Sequence, residues 1–317
     1  MRILTKRSLS IFLSAAFACS AMYLSALDIK LPELSSIIPF GTPFSSNAKW
    51  GYVPRIEATM EPLSGNASYP ASGALIYRQQ EAPLKTVFGF PLGEAEAVFN
   101  MDGFITIMSG IGKGGHDPAS GAISAGTIAG TAGGSGIYQQ GILGLRIFDM
   151  KKASWINPFF FAGGIMDQIP PVIEGITLIE ETKSGSKGKV YPIQLRPAQL
   201  RPGQKGSASE CPQGHYLVHI QAWDIINREM PNRAAPFRFV VRLNGTSAVD
   251  VSMISAQYSE KGIMFLGNEA PSSNALAEGG MWMVGRISLP RGVHELEVEL
   301  SDFQGNKTLV RTAIVAY

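Results

Sequence analysis

Thirteen glycines fall between Gly103 and Gly144. Glycine is the poorest helix former after proline and the easiest residue to place in a tight turn, so this stretch is expected to form short strands joined by close connections. The rest of the chain has the same bias, with 35 glycines and 20 prolines in 317 residues and only 16% charged residues, against about 25% in an average soluble domain. Long helices are excluded, and a turn-rich, all-β chain of two domains is the expectation.

Charge and cysteine content narrow the function classes. A formal charge of +2 does not supply the strongly basic surface of a nucleic-acid binder, so no nucleic-acid partner is expected. Two cysteines and four histidines cannot build a disulfide framework or a four-cysteine zinc site. Residues 1–26 read as an export signal: Arg2, Lys6 and Arg7 precede an apolar run from Ser8 to Leu24, and small residues end at Ala26. Cleavage there removes three of the 27 basic residues and no acidic one, which leaves a net of −1. The expected location is the periplasm or cell envelope, with an uncleaved N-terminal membrane anchor or lipidation at Cys19 as open alternatives.

Along the remaining chain, Gly73–Tyr77, Glu96–Phe99 and Phe104–Met108 have strand length and composition. Pro170-Pro171 marks an extended joint, 166–172. Beyond it the alternation is cleaner: Leu296, Val298 and Leu300 share one face, and Glu295, Glu297 and Glu299 the other. Asn244-Gly245 directly after a strand signals a hairpin, and the set of short strands suggests a β-sandwich. A polar excursion from 182 to 212 carries Lys183, Lys187, Lys189, Arg196, Arg201 and Lys205, read as a solvated loop or a contact for an anionic envelope polymer.

Several motifs fail on inspection. Gly110-Ile-Gly-Lys-Gly-Gly115 has the glycine spacing of a dinucleotide loop, but more glycine follows where a helix should start. No nucleotide or other cofactor is expected. His215 and His219 lie in a predicted strand, where positions four apart are some 13 Å apart and cannot share a metal. His116-Asp117 sits alone in a glycine loop.

The stretch from about Pro70 to Pro158 resembles the lysostaphin/LytM-type zinc endopeptidases, which cleave peptidoglycan cross-bridges on a duplicated hybrid motif β-fold. Tyr69-Pro-Ala-Ser-Gly-Ala-Leu-Ile-Tyr77 is similar to that family's A-P-A-D-G-x-V strand, and Asp102–Ile111 to its D-G-Y-x-T-x-Y-x-H-L strand. Ala122–Gly136 follows its glycine-rich run, and Leu145–Pro158 its L-H-F-E-I…V-N-P ending.

The resemblance implies zinc held by two histidines and an aspartate, with further histidines assisting proton transfer. The His-x-His pair falls on Gly144 and Arg146, and the strand histidine on Gly110. Glu57 is the only stand-in for the aspartate. No zinc, no cofactor and no peptidase activity are therefore expected. The glycines should open space in the groove, and Arg146 either faces outward from its strand or offers a fork to a stem-peptide or partner carboxylate, with Glu57 and Asn157 as secondary candidates.

Gly214–Asp224 and Leu289–Asn306 are similar to strands of immunoglobulin-like modules. There Asp302 and Asn306 read as a structural turn rather than a calcium site. The expected organisation is a signal at 1–26, a LytM-like domain at 27–165, a linker at 166–172 and an Ig-like β-sandwich at 173–317. The function expected from the resemblance is a catalytically inactive envelope protein that binds peptidoglycan, or a cell-wall hydrolase or its regulator. Two other readings stay open: an active metalloendopeptidase with non-standard ligands, and a structural or interaction protein of the cell surface.

Overall fold

The computed structural model describes residues 29–38, 56–79, 93–100, 102–112, 121–161, 167–182, 188–195, 208–226, 233–259, 262–265, 276–277 and 281–317. The export segment with Cys19, His116-Asp117, and Lys183, Lys187, Arg196, Arg201 and Lys205 lie outside the described residues. Among those described no helix is long and apolar enough to cross a membrane.

The chain is all-β. In order the strands are β1 (Leu34–Ile38), β2 (Ala58–Pro62), β3 (Asn66–Ser68), β4 (Gly73–Gln79), β5 (Ala95–Asn100), β6 (Phe104–Ser109), β7 (Ala122–Ile123), β8 (Ile128–Thr131), β9 (Leu143–Asp149), β10 (Ser154–Ile156) and β11 (Val172–Glu180). They continue as β12 (Val190–Ile193), β13 (Ser209–Cys211), β14 (Gly214–Trp223), β15 (Arg238–Leu243), β16 (Thr246–Ser252), β17 (Ser255–Ser259), β18 (Gly262–Phe265), β19 (Leu276–Ala277), β20 (Met281–Leu289), β21 (Gly292–Ser301) and β22 (Lys307–Ala316). One turn of 3₁₀ helix, Pro158–Phe161, is the helical element among the described residues.

The chain packs as two compact units. The first takes the described residues within Met1–Leu34, Glu61–Leu145 and Pro158–Gly164; the second takes those within Ser35–Met60, Arg146–Asn157 and Ile165–Tyr317. The sequence places one joint at 166–172, but the chain also changes unit inside β9. The cause is pairing: β10 runs antiparallel to β17, with Trp155 opposite Ala256 and Ile156 opposite Ser255, so the 146–157 segment joins the second unit.

In the first unit, β7, β4, β5 and β6 pair in that order, all antiparallel. The three predicted strands are β4, β5 and β6, and between the last two the Gly103 amide donates to the Asn100 carbonyl at 3.0 Å with Gly103 at positive φ. Ala97, Val98, Ile107 and Met108 are buried along this sheet, while Ile76 and Tyr77 on β4 are exposed.

In the second unit two five-stranded sheets form, ordered β12-β11-β14-β20-β19 and β13-β22-β21-β15-β16. Phe239 of β15 meets Trp282 of β20 at 5.4 Å between ring centroids, which brings the apolar faces of the two sheets into contact. Leu296, Val298 and Leu300 of β21 are fully buried. On the other face Glu297 pairs with Arg242 and Arg311, and Glu299 with Arg242 and Lys307. Cross-strand pairs of opposite charge are the sheet's own way of satisfying that row of carboxylates. Asn244-Gly245 turns β15 into β16 with positive φ at both residues, as a two-residue hairpin loop requires.

Candidate functional site

Gly110, Gly144, Arg146, Glu57 and Asn157 are the positions to locate first. In the first unit Gly110 and Gly144 converge on one side chain, Tyr138. A Cβ at Gly110 would lie 2.6 Å from the Tyr138 Cγ, and one at Gly144 would lie 2.4 Å from its hydroxyl oxygen. The two glycines thus flank the base and the tip of the same buried ring. Gly110 is also held at a φ of 78°, a region that β-carbon sterics close to most residues. The expected open space is absent: Tyr138 fills it. No sequence signal pointed to Tyr138, which stands in Ile137-Tyr-Gln-Gln with no recognisable spacing to either glycine.

Two residues beyond Gly144 on β9, Arg146 belongs to the second unit, where it meets Glu57. Arg146 Nε and Nη2 donate to Glu57 Oε2 at 3.0 and 2.8 Å. The side chains are 1% and 0% exposed. Thr59 Oγ1 donates to Glu57 Oε1 at 3.4 Å. This corrects the expectation for Arg146: a buried guanidinium already engaged by a carboxylate is not a fork presented to a ligand. It also answers why a glutamate stands at 57, since a buried cation needs a buried anion.

Asn157 is corrected as well. Its Nδ2 donates to the Met253 carbonyl at 2.8 Å and its backbone amide to the Ile254 carbonyl at 3.0 Å, so it latches the end of β10 onto the Met253-Ile254 turn. It is 2% exposed. Asn157→Ala leaves the Met253 carbonyl without that donor in a buried setting, and a loss of about 1–3 kcal/mol is expected. Urea unfolding of the variant checks this; an unchanged midpoint would remove the latch.

These residues do not fit zinc. Glycine has no donor atom, the guanidinium at 146 repels a cation, and its partner carboxylate is occupied. His215 and His219 both lie on β14, the first exposed and the second buried, and burial pushes the His219 imidazole toward its neutral form. Of the basic loop, Lys189 is described: it is exposed, with its Nζ 5.6 Å from the centre of the Tyr191 ring.

Two clusters were not foreseen. In the first unit, Glu96 of β5 accepts from the Tyr69 hydroxyl and, at 2.5 Å, from Arg78 Nε of β4. Arg78 and Glu96 are register partners, and burial with the neighbouring carboxylate pushes the Tyr69 hydroxyl well up. In the second unit, Asp167, Asp224 and Asp302 are buried together. Burial pushes Asp167 up to about 6 and Asp224 up to about 7. Asp302 and Asn306 do form the expected turn, with the Asn306 amide donating to Asp302 Oδ1 at 2.8 Å. What the sequence does not reveal is that the turn carries Asp302 to two carboxylates from distant segments.

Comparison with known proteins adds little to this geometry. A family model that carries no description matches residues 170–317, less than half of the chain. No curated protein matches. Among solved structures, the NMR solution structure of lysostaphin aligns at a TM-score of 0.30 and 11% identity, over 66% of this chain and 96% of that one.

Proposed function

We propose that this is an exported bacterial envelope protein whose LytM-like domain, followed by an Ig-like β-sandwich, is catalytically inactive and binds peptidoglycan or a cell-wall hydrolase. The observation that supports the reading is the buried Arg146–Glu57 ion pair, which stands at two of the positions the resemblance gives to metal ligands. A guanidinium there replaces the metal's positive charge with a fixed one that cannot activate water. The filling of the Gly110 and Gly144 space by Tyr138 supports the same reading. The binding surface then lies outside those buried positions.

The test is to incubate the purified chain with isolated peptidoglycan, sediment it, and assay the supernatant for released muropeptides and the protein for zinc. Sedimentation with the wall polymer, no muropeptide release and zinc well below one equivalent are expected. One equivalent of zinc together with chelator-sensitive release would establish an active endopeptidase instead. A chain that neither sediments nor alters the rate of a wall hydrolase would be a structural protein of the surface.

A further inference from the structure

Asn244-Gly245, the turn between β15 and β16, is the one asparagine–glycine dipeptide in the chain. Such a pair can react with itself. The Gly245 backbone nitrogen attacks the side-chain carbon Cγ of Asn244, and the N–Cγ bond forms as Cγ–Nδ2 breaks. The amide nitrogen leaves as ammonia, taking the Gly245 amide proton. Water then opens the five-membered succinimide to aspartate or isoaspartate, with no change of oxidation state. Glycine eases the attack because no β-carbon screens its nitrogen. The location adds no obstacle. Both residues are exposed, and among the described residues nothing beyond its chain neighbours lies within 4 Å of where a Gly245 Cβ would stand.

What the structure does supply is a hold on the reacting amide. Asn244 Oδ1 accepts from the Glu295 amide at 2.9 Å, and Asn244 Nδ2 lies 3.1 Å from His294 Nδ1. The Glu295 bond fixes which end of the side-chain amide is oxygen, so Nδ2 is the donor toward the ring. The other ring nitrogen, Nε2, lies 2.7 Å from the Pro290 carbonyl, which can only accept. One assignment satisfies both contacts: Nε2 carries the proton and Nδ1 accepts from Asn244. His294 is 7% exposed, so the acceptor itself is set in place. The Asn244 backbone amide also donates to the Glu295 carbonyl, at 2.9 Å. Side chain and backbone of Asn244 are therefore both tied to β21, the strand that pairs with β15.

We propose that Asn244 is a deamidation site and that His294 is the positioning residue that restrains it. Ring closure needs the Gly245 nitrogen and Asn244 Cγ in an aligned approach at about 3–3.5 Å. The backbone of the turn is set by the hairpin, with positive φ at both residues, and the side chain is set by β21. Neither can rotate freely to find that approach while the hydrogen bonds last. The nitrogen that donates to His294 is also the one that must leave, so the reaction removes the donor and leaves the His294 Nδ1 without it. This inference is independent of whether the LytM-like domain binds peptidoglycan.

The experiment incubates the full purified chain at neutral pH, digests samples at intervals, and follows the peptide that contains 244–245 by mass spectrometry. The readout is the mass increase of amide-to-acid conversion, with isoaspartate separated by chromatography. The folded parent should react slowly, and the same chain in urea much faster. His294→Ala should react about two- to tenfold faster than the folded parent, the factor that one net hydrogen bond is worth. In urea the two chains should react alike, because their dipeptides are identical. Val249→Ala on β16 controls for general loosening: it removes buried packing from the same hairpin and leaves the bonds to β21 in place. It should react more slowly than His294→Ala. If His294→Ala does not fold, His294→Phe takes its place, since it keeps a ring and removes both nitrogens. A folded His294 variant that reacts no faster than the parent overturns the proposal. So does a Val249→Ala rate equal to that of the His294 variant, which would make the hairpin's own stability the restraint. A folded parent that reacts as fast as the chain in urea overturns it too.

Discussion

Arg146→Ala should lower the stability of the second unit by about 3–5 kcal/mol. The guanidinium is fully buried and its Nε and Nη2 both serve Glu57 Oε2, so its removal takes that cation from a carboxylate that is 0% exposed. Truncating Glu57 takes the carboxylate from the buried cation instead, and Glu57→Ala should cost a similar amount. An exposed pair would lose only about 0–1 kcal/mol, so the size of the effect distinguishes the two cases. The decisive variant is the double replacement Glu57→Leu with Arg146→Met. Removing both charges together avoids the desolvation of either, and such apolar pairs of similar volume are often neutral or stabilising. The double variant should therefore recover most of the loss of either single one. Urea unfolding followed by tryptophan fluorescence measures this, and Trp155 on β10, beside β9, lies in the same unit. Single losses near those of a surface pair, or losses that simply add in the double variant, would contradict the buried pair.

The same pair shows how far the sequence carried. The alternation of Leu296, Val298 and Leu300 against three glutamates could be read directly, because period two in a half-buried strand is a local property. The Asn244-Gly245 turn was legible for the same reason, and the glycine density pointed to the all-β class. The resemblance singles out positions 57, 110, 144 and 146, but their chemistry depends on partners that no local pattern names. An arginine two positions past a glycine in a strand carries no local mark of whether it meets a ligand or a buried carboxylate. Only the approach of Glu57, distant in sequence, decides between them. Tyr138 was illegible on the same ground: nothing local says that a tyrosine will lie between two glycines. The aspartates are the clearest case. Asp224 and Asp302 both stood inside segments already matched to sandwich strands, and Asp167 in the expected joint, yet no spacing links them. A cluster assembled from three chain segments has no signature in any one of them.

Gly144→His, which places there the residue that the sequence resemblance gives to this position, should destabilise the first unit more than Gly144→Ala does. The reason is already visible for alanine. A Cβ at 144 lies 2.4 Å from the Tyr138 hydroxyl oxygen and 2.8 Å from Cε1 and Cζ, all well inside contact distance. The tip of a tyrosine could normally swing aside. Here the ring is 6% exposed and its base is set against Gly110, where the Cγ is 2.6 Å and the Cβ 2.7 Å from the position a β-carbon would take. Pinned at that end, Tyr138 can yield only by moving its backbone. Overpacking of this kind costs about 1–3 kcal/mol for Gly144→Ala, and the imidazole adds to it. Gly110→Ala should be at least as costly, since it also forces a non-glycine residue to a φ of 78°. The cause can be isolated by a cycle with Tyr138→Ala. Truncating the ring costs about 3–5 kcal/mol by itself through the cavity it leaves. In that background, however, the three atoms nearest a Cβ at 144 are gone, so Gly144→Ala should become nearly neutral, which gives a coupling energy between 138 and 144 of the same size as the original clash. Thermal unfolding of the four chains reads the cycle. If Gly144→Ala is equally costly with and without the tyrosine ring, the glycine is required by the strand itself and not by Tyr138.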